Sequence, residues 1–479
     1  QEMNAASPDG SRMIMSKSNN NHMWYGLLST YTNQISKSLE LSAGIDVRYY
    51  IGEHNNEIID LYDGKYFIDD SSRANVKPEQ NAAAADPNWV YEKLQVGDKV
   101  YRDYDGHVHQ EGVFAQLEWT KKNLNAFVSG SVSNTGYWRY DRFYYDAAHA
   151  ESEHVNFIGY TVKGGANYNI NEKHNVFANL GYISRAPFFS GGAFLQSTTS
   201  NVKNPDPLNK KVLPAEIGYG FRTGNTVVVL DRGAQYSRPV NLNGYYTLWM
   251  DKSVVRSSSM ANGDYARVNL SGVDARHMGL ELDFVLRPNR WLDVTGMLSL
   301  GDWQWDSDSK GYIYDTQGQP LTKALDGTVA SGIMAEDHAW LNLKQKGIKV
   351  GGSAQTTGAL GVTVRPMKGL RVSADWNAYG NNYADFYIGS NTSLNGNSTV
   401  DVKDPWKIPW GHQLDLSASY AFKIGNVRAT IYGNVNNVYD YNYIMDAQCA
   451  AADEGIWQNV YAVMYSFGRT YTVRLKINF

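Results

Sequence analysis

The chain has 479 residues, with 44 Lys and Arg against 48 Asp and Glu and a formal charge of -4. That balance offers no basic surface for a phosphate backbone and argues against a nucleic-acid partner. The single cysteine, Cys449, permits no internal disulfide, thiolate zinc site or redox pair, and the longest aliphatic run, Thr226 to Leu230, falls far short of the ~20 apolar residues of a membrane helix.

Gln1 to Pro8 shows no charged region followed by an apolar stretch, so either a signal peptide has been removed or this is not the native start. No segment has a 3.6-residue period and no linker separates compositionally different halves, which predicts one domain over 1–479. From about Met23 onward, apolar and polar residues alternate instead. Leu39, Leu41, Ala43, Ile45, Val47, Tyr49 and Ile51 share one face, with Glu40, Ser42, Gly44, Asp46, Arg48 and Tyr50 opposite. A period of two predicts a strand with one apolar face. In the next segment His107, His109 and Glu111 share a face, and two imidazoles with a carboxylate suit zinc. They also share the phase that Val113, Ala115, Leu117 and Trp119 present outward, so an exposed strand extension is the favoured reading and no metal site is assigned. Glu118 takes the polar phase.

Trp138 and Tyr140 then fall outward, while Tyr137 and Arg139 fall inward. Arg185 lies on the polar phase with Asn179 and Gly181, where a structural salt bridge is favoured over contact with an anionic ligand. Glu281 and Asp283 follow on a polar face, and Trp303 and Trp305 point inward at a strand top. Asp306–Gly311 opens like a calcium loop, but Lys310 and Gln317 occupy chelating positions, so a hairpin loop is expected. Leu370, Val372, Ala374 and Trp376 alternate with Arg371, Ser373 and Asp375. Tyr379, Tyr383 and Asp385 fall inward where the strands meet the loops. The final strand runs from Tyr465 to Phe479 with one break at Arg469.

These segments hold phase for about 9–13 residues, near the ~9–11 of a tilted strand crossing a bilayer and longer than soluble strands. A one-residue slip would drive mid-strand charges into hydrocarbon, at roughly 2–4 kcal/mol for each Arg near the midplane. Short polar turns alternate with long loops at approximately 52–107, 137–154, 186–212, 250–275, 306–352, 381–411 and 441–461. Residues 223–238 break the rule, being too long for a tight turn, and are read as a periplasmic excursion. The fold class is therefore all-β: a transmembrane antiparallel barrel with lipid outside, a polar lumen and about fifteen strands. An odd count places Gln1 to about Asn21 in an extracellular loop.

Ordered pieces of the sequence resemble TonB-dependent outer-membrane receptors, particularly those of Bacteroidota. They are Asn19–Leu28, Gly44–Tyr50, Gly112–Glu118, Gly181–Pro187, Leu213–Gly218, Gly279–Asp283, Gly433–Asp440 and the terminal strand closing on Phe479. The resemblance implies a 22-stranded barrel filled by an N-terminal plug. On that count this chain is the C-terminal part of the barrel, and the plug, its TonB-binding box and about seven strands lie outside it. Energy coupling in the family runs through the plug, and a surface lipoprotein caps the loops in its glycan-importing branch.

Three functions follow as expectations. The first is active uptake of a scarce nutrient of siderophore, cobalamin or oligosaccharide class in a Gram-negative outer membrane. Substrate contacts are then expected from Tyr137, Arg139, Arg185, Trp303, Trp305, Tyr379, Tyr383 and Asp385, and plug contacts from Asp46, Arg48, Glu118, Glu281, Asp283, Arg371 and Asp375. Haem is disfavoured, because no His lies between Ala186 and Pro214. The second is a passive porin of about sixteen strands, which needs a further strand in Ser11–Ser16. The third is a structural or adhesive barrel in an envelope complex. No Gly-x-Ser-x-Gly elbow, phosphate loop or HExxH is present, so neither an enzyme nor a cofactor is expected.

Overall fold

The computed structural model describes residues 10–222, 239–259, 265–388 and 398–478. Fifteen strands form one antiparallel wall, each bonded to the next in chain order. They are β1 (Met15–Ser36), β2 (Leu39–Asp60), β3 (Lys99–Lys121), β4 (Leu124–Asp141), β5 (Val155–Asn169), β6 (His174–Arg185), β7 (Lys210–Arg222), β8 (Pro239–Ser259), β9 (Tyr265–Asn289), β10 (Leu292–Trp305), β13 (Thr356–Met367), β14 (Leu370–Gly380), β19 (Gly411–Ile424), β20 (Val427–Asn436) and β23 (Thr470–Asn478). The intervening numbers belong to short loop strands: β11 (Ser309–Tyr314), β12 (Trp340–Lys344), β15 (Asn382–Tyr383), β16 (Asp385–Tyr387), β17 (Ser398–Asp401), β18 (Lys407–Ile408), β21 (Ile444–Ala450) and β22 (Val460–Tyr465). Among the described residues β1 bonds only β2 and β23 bonds only β20, so the wall has two open edges. No described helix is long and apolar enough to cross a membrane, which says nothing of strands.

The alternation read from the sequence becomes the two faces of this wall. Val47, Val113, Val132, Ile158, Leu180, Ile217 and Leu280 are exposed on the outer face. Asp46, Glu118, Glu281, Asp283, Arg371 and Asp375 take the opposite phase and line the lumen. Small lumenal residues sit under aromatic rings: a Cβ at Gly218 would lie 2.2 Å from the Phe177 ring, and one at Gly44 would lie 2.6 Å from Phe114. The tight turns at one end use positive φ, at Gly369 (85°) and Gly425 (60°), where the missing Cβ removes the steric penalty.

Several expectations on boundaries are corrected. β1 begins at Met15, so Met15 to Asn21 is strand rather than extracellular loop, and Ser11–Ser16 contributes no separate sixteenth strand. The expected loops at 52–107 and 250–275 are cut back by long hairpins, since β2 runs to Asp60, β3 starts at Lys99, and β8 and β9 reach Ser259 and Tyr265. The 25-residue β9 is more than twice the ~9–11 residues that span a bilayer, so these strands continue well beyond the lipid. Ladder pairing carries them there: polar residues such as Asn55, paired with Asp103, satisfy their backbones across the hairpin without needing an apolar face. The predicted 306–311 hairpin loop is half strand, with β11 starting at Ser309 and Asp308 accepting the Gln345 and Lys346 N–H groups. β23 starts only at Thr470, because Tyr465 belongs to β22 and pairs with Ile444. The 223–238 excursion lies outside the described residues.

At the long-loop end the connections fold into a dome with its own core. Val268, Leu270, Ile313, Leu321, Leu341, Leu343 and Phe386 are buried together, joining the top of β9 to β11, β12 and β16. Burial of this apolar surface holds the loops together where no lipid supports them.

Candidate vestibule at the loop end of the lumen

Five of the eight expected ligand residues fall at the loop end of the wall: Tyr137 on β4, Arg185 on β6, Trp303 and Trp305 on β10, and Asp385 on the loop strand β16. Trp303 donates its Nε1–H to the Tyr245 hydroxyl at 2.9 Å, and its ring stands 5.1 Å from His277. Trp305 is only 6% exposed, packs into the dome core, and its Nε1–H has no acceptor among the described residues. Arg185 lies over the Phe188 ring at 5.5 Å and makes no ion pair among the described residues, so the expected salt bridge is replaced by a cation–π contact. Tyr137 donates to the Pro187 carbonyl at 3.0 Å, and its hydroxyl lies within Coulombic reach of Arg185. Asp385 pairs with Arg256 at 3.3 Å.

Arg139 is placed differently. It is fully buried, donating to the Ser197 carbonyl at 2.6 Å, to Asn201 Oδ1 at 2.5 Å and to Asp141 at 2.5 Å, with its guanidinium 4.5 Å from the Tyr104 ring. Its inward phase was legible, but it clamps the 186–209 loop onto β4 and presents nothing to a ligand. Tyr379 and Tyr383 stand apart, on β14 and β15. Tyr379 stacks on Tyr443 at 5.7 Å and lines a cavity of about 300 Å³ with Asn382, Gly411 and Met445. Burial holds the Tyr443 phenol above its usual range. Tyr383 is engaged through its backbone carbonyl, which accepts from Gly352 N–H at 3.0 Å.

Residues that the sequence reading missed complete the site. Lys210 Nζ is 4.4 Å from the Trp249 ring and 5.3 Å from Phe188, and Lys252 Nζ is 5.3 Å from Trp305. Lys210 and Trp249 are in phase with Glu216 and Tyr245, a signal available from alternation alone. Lys252 was hidden because 250–275 read as loop, and a register shift after Trp249 interrupts its phase.

Lower in the lumen the expected plug contacts divide. Asp46 and Arg48 neutralise each other at 2.6 Å. Glu118 accepts from Gln116 at 2.5 Å beside a polar recess of about 430 Å³, and Asp283 accepts from Asn241 at 2.9 Å. Asp375 stands directly opposite Asp415 across β14 and β19, a like-charge pairing that disfavours the bare wall. Among the described residues no Lys or Arg pairs with Glu118, Glu216, Glu281, Asp283, Asp375 or Asp415. Arg371 lies within Coulombic reach of Asp293, which is already bonded to Arg365. On the outer face His107 hydrogen-bonds Tyr49 at 2.9 Å and stacks on Trp138 at 4.8 Å, while His109 lies 3.3 Å from Glu111. Among the described residues no group of three or more His, Cys, Asp or Glu is arranged to hold a metal.

Comparison with known proteins agrees with this architecture. Residues 4–438 match the family described as TonB dependent receptor-like, beta-barrel. A sequence search among curated proteins returned no match. Similar solved structures include the copper transporter OprC, at 12% identity and a TM-score of 0.59, covering 96% of this chain and 57% of that one. The ferric citrate transporter FecA follows at 13% identity and 0.55, covering 97% and 55%. BauA, the ferric preacinetobactin receptor from Acinetobacter baumannii, follows at 14% and 0.51, covering 96% and 54%. The chain thus spans about half the length of these structures, and at such identities they establish the fold. With the family match over most of its length, the chain belongs to the TonB-dependent receptor β-barrels of the Gram-negative outer membrane.

Proposed function

We propose that this chain is the barrel part of an active uptake receptor, in which the vestibule binds a scarce nutrient and TonB, pulling on a plug, opens the path. The nutrient belongs to the siderophore, cobalamin or oligosaccharide class. The observation that carries the reading is the lumenal wall with Glu118, Glu216, Glu281, Asp283, Asp375 and Asp415 lacking cationic partners among the described residues. Carboxylates gathered on one face repel one another and favour a cationic surface against them, and a lumen-filling plug bearing Lys and Arg supplies it. The two open edges and the roughly half-length coverage of the solved structures support further strands completing the wall, because an unpaired edge in lipid strands its N–H and C=O groups. The long strands and packed dome support ligand capture at the loop end.

The test compares nutrient accumulation in energised cells carrying the receptor with and without TonB, and after dissipation of the proton gradient. Accumulation is expected to cease in both deprived conditions. Steady ion conductance by the purified protein in a planar bilayer, with uptake independent of TonB, would overturn the proposal.

A further inference from the structure

Arg185, Lys210 and Lys252 stand on three successive strands at the loop end of the lumen. Arg185 and Lys210 are directly opposite each other in register across β6 and β7. Like charges so placed repel, yet both lie on the same Phe188 ring, at 5.5 and 5.3 Å. Lys210 also lies within Coulombic reach of Lys252. None of the three has an ion-pair partner among the described residues, and the nearby Asp385 is occupied by Arg256 at 3.3 Å. The aromatic rings of Phe188, Trp249 and Trp305 hold the cations in place without neutralising them. Among the described residues two further groups beside them lack hydrogen-bond partners: the buried Trp305 Nε1, which can only donate, and His277 Nδ1. Wall, rings and orphaned donor therefore share one deficiency, a negatively charged acceptor.

We propose that this shelf binds a small solute bearing two or more carboxylates, so that the nutrient of the uptake reading, on which this inference rests, is a polycarboxylate or a metal chelate formed by one. Three cations spread over β6, β7 and β8 match separated carboxylates better than a single compact anion. Arg185 and Lys210 take the lumenal phase and Lys252 lies over the inward-facing Trp305 ring, which keeps all three away from lipid headgroups. A carboxylate of the protein's own plug is the competing occupant, and a solute-binding assay separates the two.

The assay uses radiolabelled citrate as probe and outer membranes from cells making the receptor, without energisation. Saturable binding is expected, falling with added salt, and weakened at least about tenfold by Lys210→Gln or Lys252→Gln, the loss of one charge-assisted contact. Lys210→Arg and Lys252→Arg are expected to retain it, which separates charge from packing, and heat-modifiable electrophoretic mobility verifies that each variant is folded. Glycerol, a neutral three-carbon polyol, is expected not to compete. Absence of saturable citrate binding, or binding that the glutamine variants leave unchanged, overturns the assignment and favours occupation by the plug. Because no energised transport is required, citrate binding without TonB-dependent uptake would sink the uptake reading alone.

Discussion

The buried clamp at Arg139 allows a quantitative test of how the loops are held. Arg139→Met keeps the apolar stem but removes three hydrogen bonds, to Ser197, Asn201 and Asp141, the longest of them 2.6 Å. Asp141 is then left fully buried without its cation, although the Phe143 and Tyr144 N–H groups still donate to it at 2.8 and 2.7 Å. Breaking one side of a buried pair costs about 3–5 kcal/mol. At 1.36 kcal/mol per decade that raises the local opening equilibrium of the 186–209 loop by roughly two to nearly four orders of magnitude. The barrel itself should stay folded, because its strand ladders do not run through this loop. Native-state hydrogen exchange provides the assay, read at the Ser200 and Asn204 amides that bond to Gln196 and Ala193 at 2.8 Å. Adding Asp141→Asn is expected to recover part of the protection by removing the stranded charge. Exchange at Ser200 and Asn204 within about threefold of wild type in Arg139→Met would refute the clamp, since it lies far below the cost of an uncompensated buried charge.

Other predictions follow from face and packing. Ile217, 68% exposed on the lipid face, should lose about 2–4 kcal/mol on substitution by Arg, whereas Ser417→Arg on the lumenal face should cost less than about 1 kcal/mol; denaturant titration of the protein in bilayers compares them. Gly218→Val forces a side chain into the Phe177 ring 2.2 Å away and should lower stability by about 1–3 kcal/mol, with Phe177→Leu restoring part of it in the double variant. In the dome, His338 accepts from the Met334 N–H at 3.0 Å and hydrogen-bonds the Ile313 carbonyl at 2.8 Å, and burial holds its pKa below the usual 6.5. A depressed folded-state pKa means that its contribution is fully present above about 6.5 and is lost as pH falls through the lower folded value. Protease susceptibility of the 306–355 loop should therefore rise on acidification, and His338→Gln should remove that pH dependence.

The division into faces was legible because a two-residue period is a local property. Lipid on one side and water on the other leave Asp46, Glu281 or Asp375 only one tolerable phase, and the hydrocarbon penalty for a slip makes that phase readable from neighbours alone. The same logic put Arg185, Trp303 and Trp305 inside. Phase says nothing about depth or company, however. Arg139 and Arg185 share the inward phase, yet one is sealed under a loop and the other lies on a ring with no ion pair among the described residues.

What the sequence determined by itself was the all-β class, the number of wall strands, the inner and outer faces and the tight-turn end, because each follows from contacts within a few residues or from the solvent on either side. Tertiary structure alone decided where the strands stop, since hairpins outside the lipid are held by ladder pairing and need no apolar phase. It also decided that Lys210 and Lys252, 42 residues apart in sequence, join Arg185 on one shelf. Such a gathering depends on which strands lie side by side and where register shifts, as it does after Trp249, and no local pattern encodes either.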